Sequence, residues 1–285
     1  MMNISVIGAG YVGLITGLGF AKLNHNVSII DLNHDLINNL NENKAPFYEP
    51  QLVDYLNDST VRNNLCFSKD YQESINENTD IVFVCVQTPT DLDTGKTKTE
   101  HIASVLTELK KIESFNFIIC IKSTIKGSLV EKISTEMDLD FTKIIFNPEF
   151  LREGSAFYDF FNPDRIVIGG SDQKGLDKCL ELYESFNCEK IITDSNSSQM
   201  IKYLSNTYLA MRLSFVNETF RLVSEFNGNP EKVLRAIGKD KRIGNDYFRP
   251  SPGWGGSCFP KDVKEVMNSF QVNYQLPIIS QILRS

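Results

Sequence analysis

The first 31 residues constrain the fold of this chain more than any other stretch. Asn3 to Ile7 (N-I-S-V-I) reads as a buried strand, followed at once by G-A-G-Y-V-G with Gly8, Gly10 and Gly13, and then by an apolar helix through Leu23. Val27 to Ile30 form a second strand that ends at Asp31, eighteen positions beyond the last glycine. Taken alone, glycines at this spacing fit a turn in other α/β folds. A strand before them, a helix after them and an acid at that distance select a dinucleotide-binding turn. The glycines admit a pyrophosphate close to the backbone, and the dipole of the following helix stabilises it. Asp31 would hold the ribose hydroxyls, and because a carboxylate there repels a 2′-phosphate, NAD is expected rather than NADP.

Beyond Asp31 the signals alternate, with strands near 65–68, 81–86, 117–121, 143–146 and 165–169 and helices near 34–42, 50–57, 99–112 and 127–136. This predicts a Rossmann-like, doubly wound α/β domain over residues 1–193, built on a mostly parallel sheet, with ligands bound beyond the carboxyl ends of the strands. Two such ends run out as Q-T-P-T (Gln87 to Thr90) and K-S-T-I-K-G (Lys122 to Gly127). Their hydroxyls and N–H groups would line a cofactor cleft, while Thr88 and Thr124 read equally well as turn or cap residues. The next strand ends in N-P-E-F-L-R-E-G, where Glu149 and Glu153 would face one way on a helical turn. Such a pair orients water or a hydroxyl, or else is solvated surface with Arg152 as counter-ion.

From Ser195 to about Asn227 the alternation stops. One long helix, expected to start at Ser or Asn caps and to stop at N-G-N-P, opens an all-helical segment over 194–285. Apolar residues lie nearly all round it, which predicts burial between a domain and a second subunit. Lys202 and Asn206 share a face, and Lys202, amid Met200, Ile201 and Leu204, either snorkels to solvent or is held in a site. A helix from Pro230 to Gly238 and the loop K-D-K-R-I-G-N-D-Y-F-R then lead into P-S-P-G-W-G-G-S-C-F-P-K-D, Pro250 to Asp262. The glycines let backbone approach a bound group, and Pro260 suits the first position of a helix. Cys258 falls just before that helix, whose N-terminal dipole favours thiolate over thiol. The same residues also fit a Gly-Pro loop with a small buried cysteine and an ordinary first-turn aspartate, Asp262.

Composition enters as exclusion. With 29 Lys and Arg against 36 Asp and Glu the net charge is −7, and no long basic run occurs, so neither nucleic acid nor an anionic membrane is an expected partner. No stretch reaches membrane-spanning length and no signal-peptide pattern opens the chain, so the cytoplasm is the expected compartment. Cysteines 66, 85, 120, 179, 188 and 258 include no C-x-x-C pair or zinc spacing, the histidines are scattered, and no metal is expected. Cys85 and Cys120 sit in apolar strand-like runs and are expected in the core, which leaves Cys258 as the reactive candidate.

Several blocks now stand in order: G-A-G-Y-V-G-L, A-P-F-Y-E-P-Q-L (45–52), V-Q-T-P-T, K-S-T, N-P-E-F-L-R-E-G, K-Y-L-S-N-T-Y-L-A with F-V-N-E, D-K-R-I-G and G-G-S-C-F-P-K-D. Together they resemble the UDP-glucose/GDP-mannose dehydrogenase family, most closely its UDP-glucose 6-dehydrogenases. The resemblance implies oxidation of a UDP-sugar's C6 alcohol to a carboxylate with reduction of two NAD⁺, through a thiohemiacetal and a thioester on Cys258. It implies that Lys202 and Asn206 stabilise the oxyanion, that Asp262 assists proton transfer, and that Glu149 promotes thioester hydrolysis with Thr124 ordering the water. Contacts to NAD would fall on Gly8, Gly10, Tyr11, Val12, Gly13, Asp31, Thr88, Pro89, Ser123, Thr124 and Lys261, with Glu153 near the nicotinamide. Contacts to the sugar nucleotide would fall on Phe150, Leu151, Arg152, Lys202, Asn206, Phe248, Arg249, Ser251, Gly253 and Gly255. Arg242 would reach the sugar across the interface of a homodimer formed through the helix near 195–227.

Members of that family usually continue well past this length into a second Rossmann-like domain that grips the nucleotide, whereas this chain stops at Ser285. Weak or absent turnover is therefore expected from these residues alone, and a non-catalytic, NAD-binding, dimerising fragment is the competing reading. A hydroxy-acid dehydrogenase of the two-domain Rossmann type is a third. UDP-glucose and GDP-mannose both fit G-G-S-C-F-P-K-D, and the choice between them stays open.

Overall fold

The computed structural model describes residues 1–91, 96–112, 116–256, 258–269 and 276–283. The chain forms two compact units, Met1–Thr88 with Thr99–Met200, and Pro89–Lys98 with Ile201–Ser285.

The first unit opens with β1 (Asn3–Ile7), α1 (Tyr11–Lys22), β2 (Asn26–Ile30), α2 (His34–Asn41), α3 (Leu52–Asn57), α4 (Ser59–Asn64), β3 (Leu65–Ser68) and α5 (Tyr71–Ser74). It continues through β4 (Ile81–Val84), α6 (Glu100–Lys111), β5 (Ile118–Ile121), α7 (Gly127–Glu136), β6 (Ile144–Phe146), α8 (Ala156–Phe161), β7 (Arg165–Gly169), α9 (Gln173–Leu182) and β8 (Glu189–Thr193). The sheet order is β3-β2-β1-β4-β5-β6-β7-β8. Winding reverses between β1 and β4, which opens a crevice beyond their carboxyl ends. Neighbours pair in parallel except β6 with β7, which meet antiparallel at Phe146 and Gly169.

The strands are apolar without alternation because helices cover both faces of the sheet; all four residues of β4 (I-V-F-V) are buried. On one face Phe20 of α1 meets the rings of Phe83, Phe160 and Tyr183. On the other, Val105, Leu106 and Leu109 of α6 and Val130 and Ile133 of α7 cover Ile7, Val82 and Val84. Each such side chain contributes roughly 1.5–3 kcal/mol on burial. Cys85 and Cys120 lie in this interior, and burial pushes the Cys85 thiol up to about 12, which keeps it protonated and inert.

The long helix α10 (Ser195–Glu225) begins in the first unit and continues into the second. Its cap is Asp194 rather than the expected Ser or Asn: the carboxylate accepts from the Ser197 N–H at 2.9 Å and the Ser197 hydroxyl at 2.6 Å. These bonds hold Asp194 below the usual carboxylate range. At the far end Asn227 is left-handed (φ 55°) and the Gly228 N–H returns to the Val223 carbonyl at 2.9 Å, the stop expected at N-G-N-P. The second unit adds α11 (Pro230–Ile237), α12 (Phe259–Ser269) and α13 (Pro277–Ile282). Among the described residues its buried apolar side chains include a cluster of Ala210, Val263 and Ile282 and another of Val216, Leu234 and Phe248. Among the described residues no helix is long and apolar enough to cross a membrane.

Candidate active site

The candidate cofactor site is the turn between β1 and α1. Gly8 is left-handed (φ 101°), and a Cβ there would lie 2.7 Å from the Cys85 carbonyl oxygen. At Gly13 a Cβ would lie 1.9 Å from the Gly8 carbonyl oxygen, so glycine is what lets α1 close on the turn. Beside Gly10 nothing lies within 4 Å. Gly10 caps α1 without a side chain, and no acid occupies the first turn, so the helix N-terminus faces that space bare. Asp31, at the end of β2, accepts from the Ala9 N–H at 2.8 Å and from the Asn33 N–H at 2.9 Å, which fixes its charge beside the turn. Open space at Gly10, a bare helix start and a fixed carboxylate are what NAD requires: room for the pyrophosphate, a partial positive charge for it and an acceptor for ribose.

The loops after β4 and β5 are tied to each other. The Thr88 hydroxyl donates to the Thr124 carbonyl at 2.9 Å and the Ser123 hydroxyl to the Val86 carbonyl at 2.6 Å, so both hydroxyls fasten loop to loop. Pro89 belongs to the second unit. The segment after β6 is irregular, so Glu149 and Glu153 do not share the helical face that their four-residue spacing suggests. Glu149 is buried and accepts from the Leu151 N–H at 2.6 Å, whereas Glu153 is exposed. Arg152 grips Asp159 through Nε and a second nitrogen. Phe150 packs 4.0 Å from the guanidinium carbon of Arg165. Beneath this loop Asn147 Oδ1 accepts from Lys122 Nζ at 2.9 Å and from the Tyr183 hydroxyl at 2.6 Å.

The second unit assembles the other predicted residues. Lys202 and Asn206 lie one turn apart on α10 and both are buried, Lys202 at 3% exposure, so its ammonium does not snorkel to solvent. Asn206 Nδ2 donates to Asp262 Oδ2 at 2.6 Å, and Lys261 Nζ meets Asp262 Oδ1 at 2.7 Å. Cys258 is exposed and stands at the cap of α12, its carbonyl accepting from the Asp262 N–H at 2.9 Å; the helix starts at Phe259, one residue ahead of Pro260. Two buried groups here escape sequence reasoning. Glu265 lies three residues past Asp262, and Tyr203 is pushed well above the usual phenol range by burial, then by Glu265 and Asp262. The i,i+3 spacing of Asp262 and Glu265 is the available signal, masked by the flanking lysines.

The predicted substrate loop is more dispersed. Phe248 packs against Val216 and Leu234, and with Arg249, Arg235, Lys239, Glu231 and Asp246 it lines a cavity of about 870 Å³. Arg242 is exposed and pairs with Asp240 at 2.6 Å. The Ser251 N–H donates to Asn217 Oδ1 at 2.9 Å, Gly253 and Gly256 are at positive φ, and beside Gly255 nothing lies within 4 Å. Among the described residues no cluster of His, Cys, Asp and Glu could hold a metal ion.

A reversed-winding sheet with a bare glycine turn and an acid closing β2 defines an NAD-binding Rossmann domain, here followed by a helical unit carrying a cysteine and a fixed carboxylate. The chain belongs to the UDP-glucose/GDP-mannose dehydrogenase family: that family's NAD binding domain matches residues 2–187 and its central domain residues 196–285. The UDP-glucose 6-dehydrogenase YwqF of Bacillus subtilis is 34% identical over 292 residues, covering 99% of this chain and 65% of that protein. The UDP-glucose 6-dehydrogenase of Rickettsia bellii is 35% identical over 291 residues, covering 100% of this chain and 66% of that protein. Among solved structures, a UDP-glucose dehydrogenase from Pyrobaculum islandicum superposes with a TM-score of 0.91 at 33% identity, covering 100% of this chain and 68% of that one. The chain thus spans about 65% of the length of the curated relatives it matches.

Proposed function

We propose that this chain carries the NAD site and the cysteine chemistry of a UDP-glucose 6-dehydrogenase, oxidising the C6 alcohol of UDP-glucose to a carboxylate. The observation that carries the reading is Cys258 at the start of α12 with Asp262 fastened between Asn206 and Lys261. NAD, when bound, supplies a two-electron oxidant for each of two oxidations. The residues do the rest. The Cys258 sulfur adds to the C6 aldehyde, and the resulting thiohemiacetal is held on the protein while the spent cofactor is exchanged. After the second oxidation the thioester is cleaved by water, which returns the thiol and releases the acid. Lys202 and Asn206 donate to the oxygen on which negative charge develops. Asp262, with bound water, assists proton transfer, and Glu149 and Thr124 order the hydrolytic water. The balance per sugar is two NAD⁺ and one water consumed, two NADH and three protons released.

Four exposed apolar residues of α10, Leu204, Tyr208, Phe215 and Leu222, recur at intervals of four and seven and so form one stripe, with the exposed Phe220 off it. We read this stripe as the surface covered by a second copy of the chain. The resemblance to UDP-glucose 6-dehydrogenases favours glucose over mannose nucleotides.

The test is stoichiometry. With UDP-glucose and NAD⁺ the protein is expected to make two NADH per sugar, and Cys258→Ala is expected to lose carboxylate formation by more than about a thousandfold. One NADH per sugar, undiminished turnover of the variant or preference for GDP-mannose would each overturn the reading.

A further inference from the structure

Glu49 is a buried carboxylate that no step of the proposed chemistry uses. It is 4% exposed, and its two oxygens accept three hydrogen bonds from segments far apart in sequence. Oε2 accepts from the Tyr11 hydroxyl at 2.8 Å and from the Gly154 N–H at 2.8 Å; Oε1 accepts from the Ala156 N–H at 2.9 Å. The Tyr11 hydroxyl also lies 3.3 Å from the Arg152 carbonyl oxygen, and its ring packs 5.3 Å from that of Phe47. The segment that presents Glu49 is stiff. Pro46 and Pro50 flank it, Gln51 is left-handed at φ 69°, and the Leu52 N–H closes on the Glu49 carbonyl at 3.1 Å. Burial, then the Glu49 hydrogen bond, push Tyr11 well above the usual phenol range, so its hydroxyl stays a donor.

A buried charge is costly unless several donors surround it, and Glu49 has three. Those donors come from the two places where the cofactor is expected to be held. Tyr11 is the fourth residue of the glycine turn, Gly154 follows Glu153 directly, and Ala156 opens α8 at the end of the same loop. We propose that Glu49 is a positioning residue for NAD: its carboxylate clamps the glycine turn to the Glu153 loop and so sets the span between the pyrophosphate and nicotinamide ends of the site. This rests on the assignment of those two ends under the proposed function.

The experiment is a calorimetric titration of wild type, Glu49→Gln, Tyr11→Phe and the double variant with NAD⁺ and with ADP-ribose, which lacks the nicotinamide. Each single variant is expected to raise the Kd for NAD⁺ about tenfold and that for ADP-ribose under about threefold, with the double variant no weaker than the worse single one. Equal effects on the two ligands, no effect on either, or fully multiplicative effects in the double variant would overturn the proposal, because a merely structural carboxylate does not discriminate between them. Tyr11→Phe removes only a hydroxyl and carries the test even where Glu49→Gln fails to fold. Gly10→Ala is the control: if it binds NAD⁺ as wild type does, the site assignment itself fails, whereas if it alone weakens binding, only the clamp does.

Discussion

The starts of α1 and α12 are built on opposite plans. At α1 the start is stripped: Gly10 offers no capping side chain, the first turn holds no acid, and open space lies alongside. At α12 the first turn carries its own anion, Asp262, 1% exposed and fastened by Asn206 and Lys261. A bare helix N-terminus draws an anion from outside, while one that faces a resident carboxylate uses its field to hold that group still. On the proposed function, the first receives the pyrophosphate of NAD and the second holds the start of the helix that follows Cys258. Both are read from short glycine-containing motifs, yet the glycines act differently. At α1 close approach dictates Gly13 and, together with a positive φ, Gly8; around α12 Gly253 and Gly256 are at positive φ with nothing within 4 Å of either.

Substituting the α1 glycines one at a time breaks this comparison most sharply. Gly13→Ala forces a Cβ to 1.9 Å from a backbone oxygen that no rotamer change can move. A loss of about 3 kcal/mol is expected, together with loss of NAD binding. Gly10→Ala meets nothing within 4 Å and sits at an ordinary φ of −72°, so its stability is expected to stay within about 0.5 kcal/mol of wild type. Its added methyl occupies the approach to the pyrophosphate, and NAD⁺ affinity is expected to fall about tenfold or more. Thermal unfolding by circular dichroism and NAD⁺ titration read the two effects separately. Equal loss of stability in both variants would mean that the turn is a packing device rather than a receptor.

At α12 the corresponding test removes the resident anion. Asp262→Ala leaves the Asn206 amide and the Lys261 ammonium without the oxygens they now hold, and a cost of about 2–4 kcal/mol to the helical unit is expected. Asp262→Asn keeps an acceptor for Asn206 and is expected to cost about half as much. The single tryptophan gives a local probe: Trp254 lies in this unit and donates to the Ser214 hydroxyl at 3.0 Å. Urea unfolding followed by its fluorescence should show the order Asp262→Ala, Asp262→Asn, wild type. Tolerance of alanine without loss would mean that Asp262 is not what holds the start of α12 together.

How far these features are legible in the sequence depends on sequence distance. The glycine turn, β2 and its acid, and the Cys258–Asp262 spacing are local, and local pattern carries them. The antiparallel pairing of β6 with β7 is invisible to periodicity, because direction is set by the connection and not by the strands. Helix α9 is hidden in the pattern by Gly175, which interrupts it; a Cβ there would meet Ile145 at 2.7 Å, so the glycine permits close packing against β6. β8 (E-K-I-I-T) sits at the edge of the sheet and is only half-buried, too weak an apolar signal to stand out. Glu49 stands in the block A-P-F-Y-E-P-Q-L with no local sign of its role, since its partners Gly154 and Ala156 lie 105 and 107 residues away. No spacing rule reaches that far.

A smaller effect separates the two units through their lysines. Lys261 gives its proton-bearing nitrogen to a carboxylate, whereas Lys122, 6% exposed, gives its to the neutral Asn147 amide, with the Phe83 ring 5.7 Å away. Burial pulls Lys122 below its ordinary 10.5, despite the opposing pull of the Glu149 carboxylate. The sign follows directly. Between the lowered folded value and 10.5 the unfolded chain binds more protons than the folded one, so stability rises with pH across that interval. The penalty of burying the charge is full below the folded value and gone above the unfolded one. In Lys122→Met that penalty is absent at every pH. Near neutrality the variant is expected to lie within about 1 kcal/mol of wild type, since replacing a buried charge by an apolar group of similar length is often close to neutral. As the pH rises towards 10.5, wild type should gain on the variant, a drift read by urea unfolding at a series of pH values. A constant difference would mean that Lys122 titrates alike in both states, and that its ammonium is as well solvated by Asn147 as by water.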